Sequence, residues 1–248
     1  MIHITGDTHG KFHKFWTNEF PEGEALNRDD YVIICGDFGA VWDGEAYQEL
    51  LLDSLAEIPF TILFVDGNHE NFELLAKYPV TEWNGGKVQF IRPNLIHLMR
   101  GQIYNIDGST FFAMGGAKSH DIQDGILEPD DPAFEEKFWR MRRMRMLFRV
   151  NHYSWWKEEL PSDAEYEEAR NNLRAADYKV DYIISHCAPN DILDILGGGM
   201  YERDPLTDFL EEVRTTVDFK HWYFGHYHDD RHIGQKFTLL YDEIIPLE

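Results

Sequence analysis

The chain has 248 residues, 43% of them hydrophobic and 27% charged, an ordinary globular composition with room for one large core or two small ones. Lys and Arg total 23 against 45 Asp and Glu, and the formal charge of −22 disfavours an extended nucleic-acid partner while leaving small phosphorylated molecules open, because bound cations invert the local field. No apolar run reaches the length of a membrane span, and the N-terminus lacks a basic region followed by an apolar stretch and cleavage site, so a soluble, unexported, cytoplasmic protein without a membrane partner is expected.

In chain order, the opening apolar run ends in "GDTHG", which places Asp7 and His9 two positions apart. On a continuing strand that spacing puts a carboxylate and an imidazole on one face, a plausible half of a metal site, while the same five residues are also good turn chemistry. "YVIICGD" follows, then a helical stretch at 45–57, "TILFVDGNHE", a second helical stretch at 71–78, and "TFFAMGG". After the segment 119–178 come "VDYIISHCAP", a helix at 205–216 and "HWYFGHYH". Continuous runs rich in Val, Ile, Tyr and Phe read as strands buried on both faces, and their alternation with helices predicts an α/β layered fold.

With no internal repeat or Pro/Ser-rich linker, residues 1–248 are expected to form a single domain. The segment at about 119–178 is rich in Trp, Arg and Glu and reads as a helical insertion or cap. In it Asp131 and Pro132 suggest a helix start, and "SDAE" at 162–165 a capping box opening a helix to about Ala176. The tract holding Arg140, Arg142, Arg143, Arg145 and Arg149 follows Asp130, Asp131, Glu135 and Glu136, an order that suits the helix dipole without any ligand. Cys35 and Cys187 lie in apolar runs and are expected to be buried and reduced.

The strand-ending residues are informative as a set. Asp7 and His9, then Asp37, then Asn68 and His69, then His186, then His226 and His228 each lie one to four residues beyond an apolar run. Parallel strands bring such positions to one sheet edge, where ligands of open α/β sheets lie. Two carboxylates, an amide carbonyl and several imidazoles make a mixed nitrogen and oxygen donor set suited to Mn, Fe or Zn. Seven or eight donors exceed the need of one ion, whereas two metals sharing a carboxylate fit the count. His3, His13, His97, His152 and His232 are assigned ordinary structural roles.

The elements "GDTHG" at 6–10, "GD" at 36–37, "GNHE" at 67–70, "SH" at 185–186 and "GHYH" at 225–228 occur in an order that resembles the calcineurin-like metallophosphoesterase superfamily. The resemblance implies a four-layer αββα sandwich of two mixed β-sheets carrying two divalent or trivalent metal ions, Mn and/or Fe or Zn, at the strand ends. It puts Asp7, His9 and His228 on the first metal, Asp37 between the metals, and Asn68, His186 and His226 on the second. His69 then stands beside the leaving oxygen as general acid, with Glu70 supporting the site or opening the next helix. The implied reaction is hydrolysis of a small phosphomonoester or phosphodiester by a metal-bridging hydroxide. The alternatives are a nuclease and an inactive metal-stabilised binding or scaffold module.

The protein-phosphatase branch of that superfamily carries Gly-Asp-x-Val-Asp-Arg-Gly at the second motif. Here "GDFGAVWDG" places Ala40 and Val41 at the aspartate and arginine positions, which weakens that assignment and leaves Asp43 one candidate partner for His69. Lys118, Ser119, His120 and Asp121 in "GGAKSHD" are candidate substrate contacts, Trp155 or Trp156 a candidate stacking surface, and "LGGGMYERD" at 196–204 a lid or a mobile turn.

Overall fold

The apolar runs become strands because β-branched and aromatic side chains suit a pleated surface covered on both sides. In the computed structural model, which describes residues 1–16 and 20–247, the chain runs β1 (Ile2–Thr5), α1 (His13–Trp16), β2 (Tyr31–Ile34), α2 (Ala46–Ala56), β3 (Thr61–Phe64), α3 (Phe72–Leu75), β4 (Val80–Trp83), β5 (Gly86–Arg92) and β6 (Leu95–Leu98). It continues through β7 (Gln102–Ile106), β8 (Ser109–Met114), β9 (Gly125–Leu127), α4 (Phe134–Arg143), β10 (Phe148–Val150) and α5 (Asp163–Ala175). The last part comprises β11 (Tyr182–Ser185), α6 (Asn190–Gly197), α7 (Pro205–Thr216), β12 (His221–Phe224), β13 (Arg231–Ile233), β14 (Phe237–Leu239) and β15 (Ile244–Pro246).

One sheet has the order β15-β1-β2-β3-β6-β5-β4 and the other β13-β14-β12-β11-β8-β7. Both are mixed. β1, β2, β3 and β6 pair in parallel, as do β8, β11, β12 and β14, and antiparallel strands complete the edges. Every anticipated metal-ligating residue lies in a loop that leaves a parallel strand at its carboxyl end.

Side-chain alternation along these strands builds three apolar layers. Val32, Ile34, Ile62 and Phe64 pack outward with Leu52 and Leu55 of α2, whereas Ile33, Cys35, Leu63 and Val65 point inward. Inward they meet Phe111, Ala113, Ile184 and Tyr223 of the second sheet. The opposite faces of those strands, through Phe112, Ile183, Trp222 and Phe224, pack against Leu173 of α5, Ile192 of α6 and Leu210 of α7. The result is the expected helix, sheet, sheet, helix stack.

The stretch 119–178 divides in two. β9, α4 and β10 form a unit with its own small core of Leu127, Met141 and Val150. α5, capped by reciprocal Ser162 and Glu165 bonds as the sequence predicts, instead joins the outer layer of the second sheet. α4 begins at Phe134, later than Asp131 and Pro132, because Asp131 uses its carboxylate to close a turn onto the Ala133 N–H at 2.8 Å. Cys35 and Cys187 are buried free thiols.

Candidate metal centre

Five loops, those after β1, β2, β3, β11 and β12, bring Asp7, Asp37 and the imidazoles together. Asp7 is buried, and its Oδ1 accepts the His226 N–H at 3.0 Å. Its Oδ2 faces His228 Nε2 at 3.3 Å and His9 Nε2 at 3.7 Å, while the two imidazole nitrogens are 3.0 Å apart. Asp37 lies between His9 and His186: its Oδ2 is 3.6 Å from His9 Nδ1 and its Oδ1 3.3 Å from His186 Nε2. Oδ1 also accepts the His69 N–H at 2.8 Å, which ties the third loop to the second. The donors thus form overlapping groups: Asp7, His9 and His228; His9, Asp37 and His69; Asp7, Asp37 and His186.

Backbone geometry makes this convergence possible. A Cβ on Gly67 would lie 2.0 Å from Asp37 Oδ1 and 2.7 Å from His186 Nε2, so only glycine permits the close approach. Four donors themselves sit in left-handed backbone, with φ of 47° at His9, 48° at Asp37, 74° at His226 and 49° at His228. Such strain in non-glycine residues persists where the surrounding fold enforces it, and it clusters at functional sites.

The protonation pattern follows from burial and neighbours. His186 Nδ1 donates to the Cys35 carbonyl at 2.8 Å, which leaves Nε2 as the nitrogen facing the carboxylates. Burial opposes charge on this ring, but Asp37 and Asp7 overcome it and raise its pKa to about 10. Burial works the other way on Asp37 and is outweighed by His186, so its carboxyl is held well below the usual range. Burial, reinforced by the His186 charge, pulls His226 down to about 3. The two carboxylates thus draw positive charge to His186 Nε2, a proton in the metal-free chain that a metal ion would have to displace.

The donors fit metal ions on independent grounds. Asp7 Oδ2, Asn68 Oδ1 and His186 Nε2 are all buried without a hydrogen bond among the described residues. Buried acceptors of this kind are rare and costly unless something else satisfies them. Each is an atom through which that residue type binds a metal.

Asn68 is held from behind. Its Nδ2 donates to Ser119 Oγ at 3.3 Å, and Ser119 in turn gives its hydroxyl and its N–H to Glu159 at 2.9 and 3.1 Å. Ser119, read from sequence as a substrate contact, is thus buried against Asn68. Asp121 is engaged by Arg149, whose Nε lies 2.8 Å from both of its oxygens, and Lys118 pairs with Glu202 at 3.1 Å. Exposed His120 lines a cavity beside His226 and Tyr201. Asp43 caps the Glu45 N–H at 2.9 Å and shares a cavity wall with His69 without a bond to it. Trp156 is buried edge-on to Trp42, with ring centroids 5.5 Å apart, and offers no stacking face.

Glu70 takes the supporting role read from its motif, whereas Asp66 and Tyr241 gave no sequence signal. Glu70 is buried and its carboxylate takes the Phe38 N–H at 2.7 Å and the Gly39 N–H at 3.2 Å, bracing the loop that carries Asp37. Asp66, just before the Gly67 motif, is locked by Arg100 and by His97 at 3.1 Å, and Tyr241 stacks on His228 with centroids 4.5 Å apart. Their partners are far away in the chain, so only the fold reveals them.

The profile of the calcineurin-like phosphoesterases matches residues 1–230. A lariat debranching enzyme of Drosophila pseudoobscura pseudoobscura is 21% identical over 259 residues, covering 92% of this chain and 42% of that protein. Lariat debranching enzyme A of Xenopus laevis is 25% identical over 143 residues, covering 51% of this chain and 26% of that protein. The chain therefore spans less than half the length of these curated relatives. A solved Staphylococcus aureus structure, provisionally assigned as a 5'-nucleotidase and in complex with alpha-ketoglutarate, superposes with a TM-score of 0.47 at 13% identity, over 97% of this chain and 48% of that one.

Proposed function

Starting from the fact that the chain belongs to the calcineurin-like phosphoesterase family, we propose that it hydrolyses a small phosphorylated substrate at a dinuclear metal site. Asp7, His9 and His228 would hold one ion, Asn68, His186 and His226 the other, and Asp37 would serve both. The observation that carries this reading is the trio of buried polar atoms, Asp7 Oδ2, Asn68 Oδ1 and His186 Nε2, left without hydrogen bonds among the described residues beyond the strand ends of both sheets. When bound, two ions supply a hydroxide nucleophile near neutral pH and neutralise phosphoryl oxygens; Mn and/or Fe suit the mixed donor set, with Zn also compatible.

The chain's own contribution is orientation and proton transfer. The Asp37 carboxylate fixes the His69 backbone, and the His69 ring lies edge-on to His9 with centroids 5.0 Å apart. His69 is thereby held at the rim, where it donates a proton to the departing oxygen. Burial lowers its pKa, with Asp37 opposing, which makes the imidazolium a readier donor. We place the reaction in the cytoplasm, where two buried reduced cysteines are at home. Among the described residues no helix is long and apolar enough to cross a membrane.

The names of the lariat debranching relatives favour a second reading, a nuclease. The charge of −22 weighs against extended nucleic acid. Both readings separate from an inactive scaffold in one experiment. Metal-stripped protein is expected to lose hydrolysis of p-nitrophenyl phosphate and bis(p-nitrophenyl) phosphate and to regain it with Mn²⁺. His69→Ala should keep its metal and lose roughly 10²–10⁴-fold in kcat with phenyl or alkyl phosphate esters, whose leaving oxygen needs a proton. Unchanged turnover in that variant removes His69 from the chemistry, and inactivity under every metal favours the scaffold.

A further inference from the structure

Two separate cavities open on the candidate metal centre. One, of about 340 Å³, contains His9 and His69 and is walled by Ala40, Trp42, Tyr47 and Leu51. The other, of about 570 Å³, contains His226 and is walled by Lys118, His120, Tyr201, Glu202 and Tyr227. They have no wall residue in common. The first is built from the loops after β1, β2 and β3 together with α2, all belonging to the first sheet and its helix layer. The second is built from the loops after β8, β11 and β12 and from the connection between α6 and α7, all belonging to the second.

Each cavity reaches the donor cluster through a different imidazole, and both fall in the size range of small-ligand sites. Their linings differ in chemistry. The first is chiefly aromatic and apolar. The second combines a polar part, where Lys118 and Glu202 pair at 3.1 Å, with the Tyr201 and Tyr227 rings, whose centroids are 5.1 Å apart. A phosphomonoester has one organic arm and fills one recess. A phosphodiester has two.

We infer that the substrate is a phosphodiester whose two alcohol arms occupy the two cavities. The apolar or aromatic arm beside His69 is the one that leaves, and the arm over Tyr201 and Tyr227 is retained. This deepens the phosphoesterase reading and rests on it. Water supplies the oxygen of the new P–O bond, and the P–O bond to the first-cavity arm breaks. That bond's electron pair stays on the departing oxygen, which takes the proton from His69, while the proton that the attacking water loses passes to solvent, from which His69 is reprotonated. The products are a free alcohol and a phosphomonoester carrying the second arm, with no change of oxidation state.

The test uses the Mn²⁺-loaded protein and three esters: thymidine 5'-(p-nitrophenyl) phosphate, methyl p-nitrophenyl phosphate and p-nitrophenyl phosphate. The two-armed thymidine ester should exceed the monoester in kcat/KM by about tenfold or more, the worth of one filled pocket. Tyr201→Ala, at a residue that is 43% exposed, should raise KM for the thymidine ester alone. Tyr47→Ala, at a residue that is 75% exposed, should raise KM for all three, since each places nitrophenol in the first cavity. A preference for the monoester, or a Tyr201→Ala variant that leaves the thymidine ester's KM unchanged, overturns the inference while the phosphoesterase reading stands. Hydrolysis of none of the three removes both.

Discussion

On the proposed reading, Asn68 is a single side chain prepared for a metal. Its amide nitrogen is occupied by Ser119 at 3.3 Å and its carbonyl oxygen is buried and unpaired, so the amide faces the site by its oxygen. Removing that anchor in Ser119→Ala should weaken binding of one of two Mn²⁺ ions by about 10–100-fold, the usual effect of losing a group that orients a ligand, and calorimetric titration reads it directly. Equal affinity in the variant would deny Ser119 that role. Behind Ser119, burial pushes the Glu159 carboxyl from an ordinary value of 4.5 up to about 8, against the pull of its Ser119 bonds. Between those pH values the folded protein keeps a proton that the unfolded chain has released, so stability falls as pH rises through the window. Glu159→Gln abolishes that slope: its melting temperature relative to wild type should climb from pH 5 to pH 8 in metal-free protein, whereas a pH-independent difference would contradict the assignment. The donors themselves were legible in the sequence because each sits in a short polar motif just beyond an apolar run, glycine-flanked in every case but His186. Ser119 and Glu159 were not, since 40 residues separate them and their meeting depends on how the insertion returns to the sheet.

At the scale of elements, the site depends on parallel strands that end together. The buried central strands were readable as continuous apolar runs, and β2, β3, β8, β11 and β12 all lie within them. The edge hairpin β4 and β5 was not, because β4 is largely exposed and carries no such run. The same limit explains the divided 119–178 stretch. Helical periodicity identifies α5 but does not say which surface it covers, and that surface is the second sheet. Glycines at the strand ends convert this topology into close approach of the donors. In Gly67→Ala the added methyl would sit 2.0 Å from Asp37 Oδ1, so the loops must separate. The variant should lose about 1–3 kcal/mol in urea denaturation, the common cost of overpacking, together with its tight metal binding. Wild-type stability and metal affinity in Gly67→Ala would show that the approach is not required.

For the whole molecule, the sandwich resolves an electrostatic contradiction. On the proposed reading a chain of charge −22 has to attract a phosphorylated substrate, and among the described residues the donors suited to metal cations concentrate where the two sheets meet. Bound ions then supply the local positive field that the chain as a whole lacks. Each half of the sandwich contributes its own candidate donors and its own cavity, so on the proposed reading neither half makes a complete site. The most direct measurement is elemental analysis of bound metal coupled to turnover as Mn²⁺ is titrated into stripped protein. Two ions per chain, with hydrolysis of bis(p-nitrophenyl) phosphate appearing as the second site fills, is the predicted result. Full hydrolysis by metal-free protein, or with a single ion bound, would contradict it.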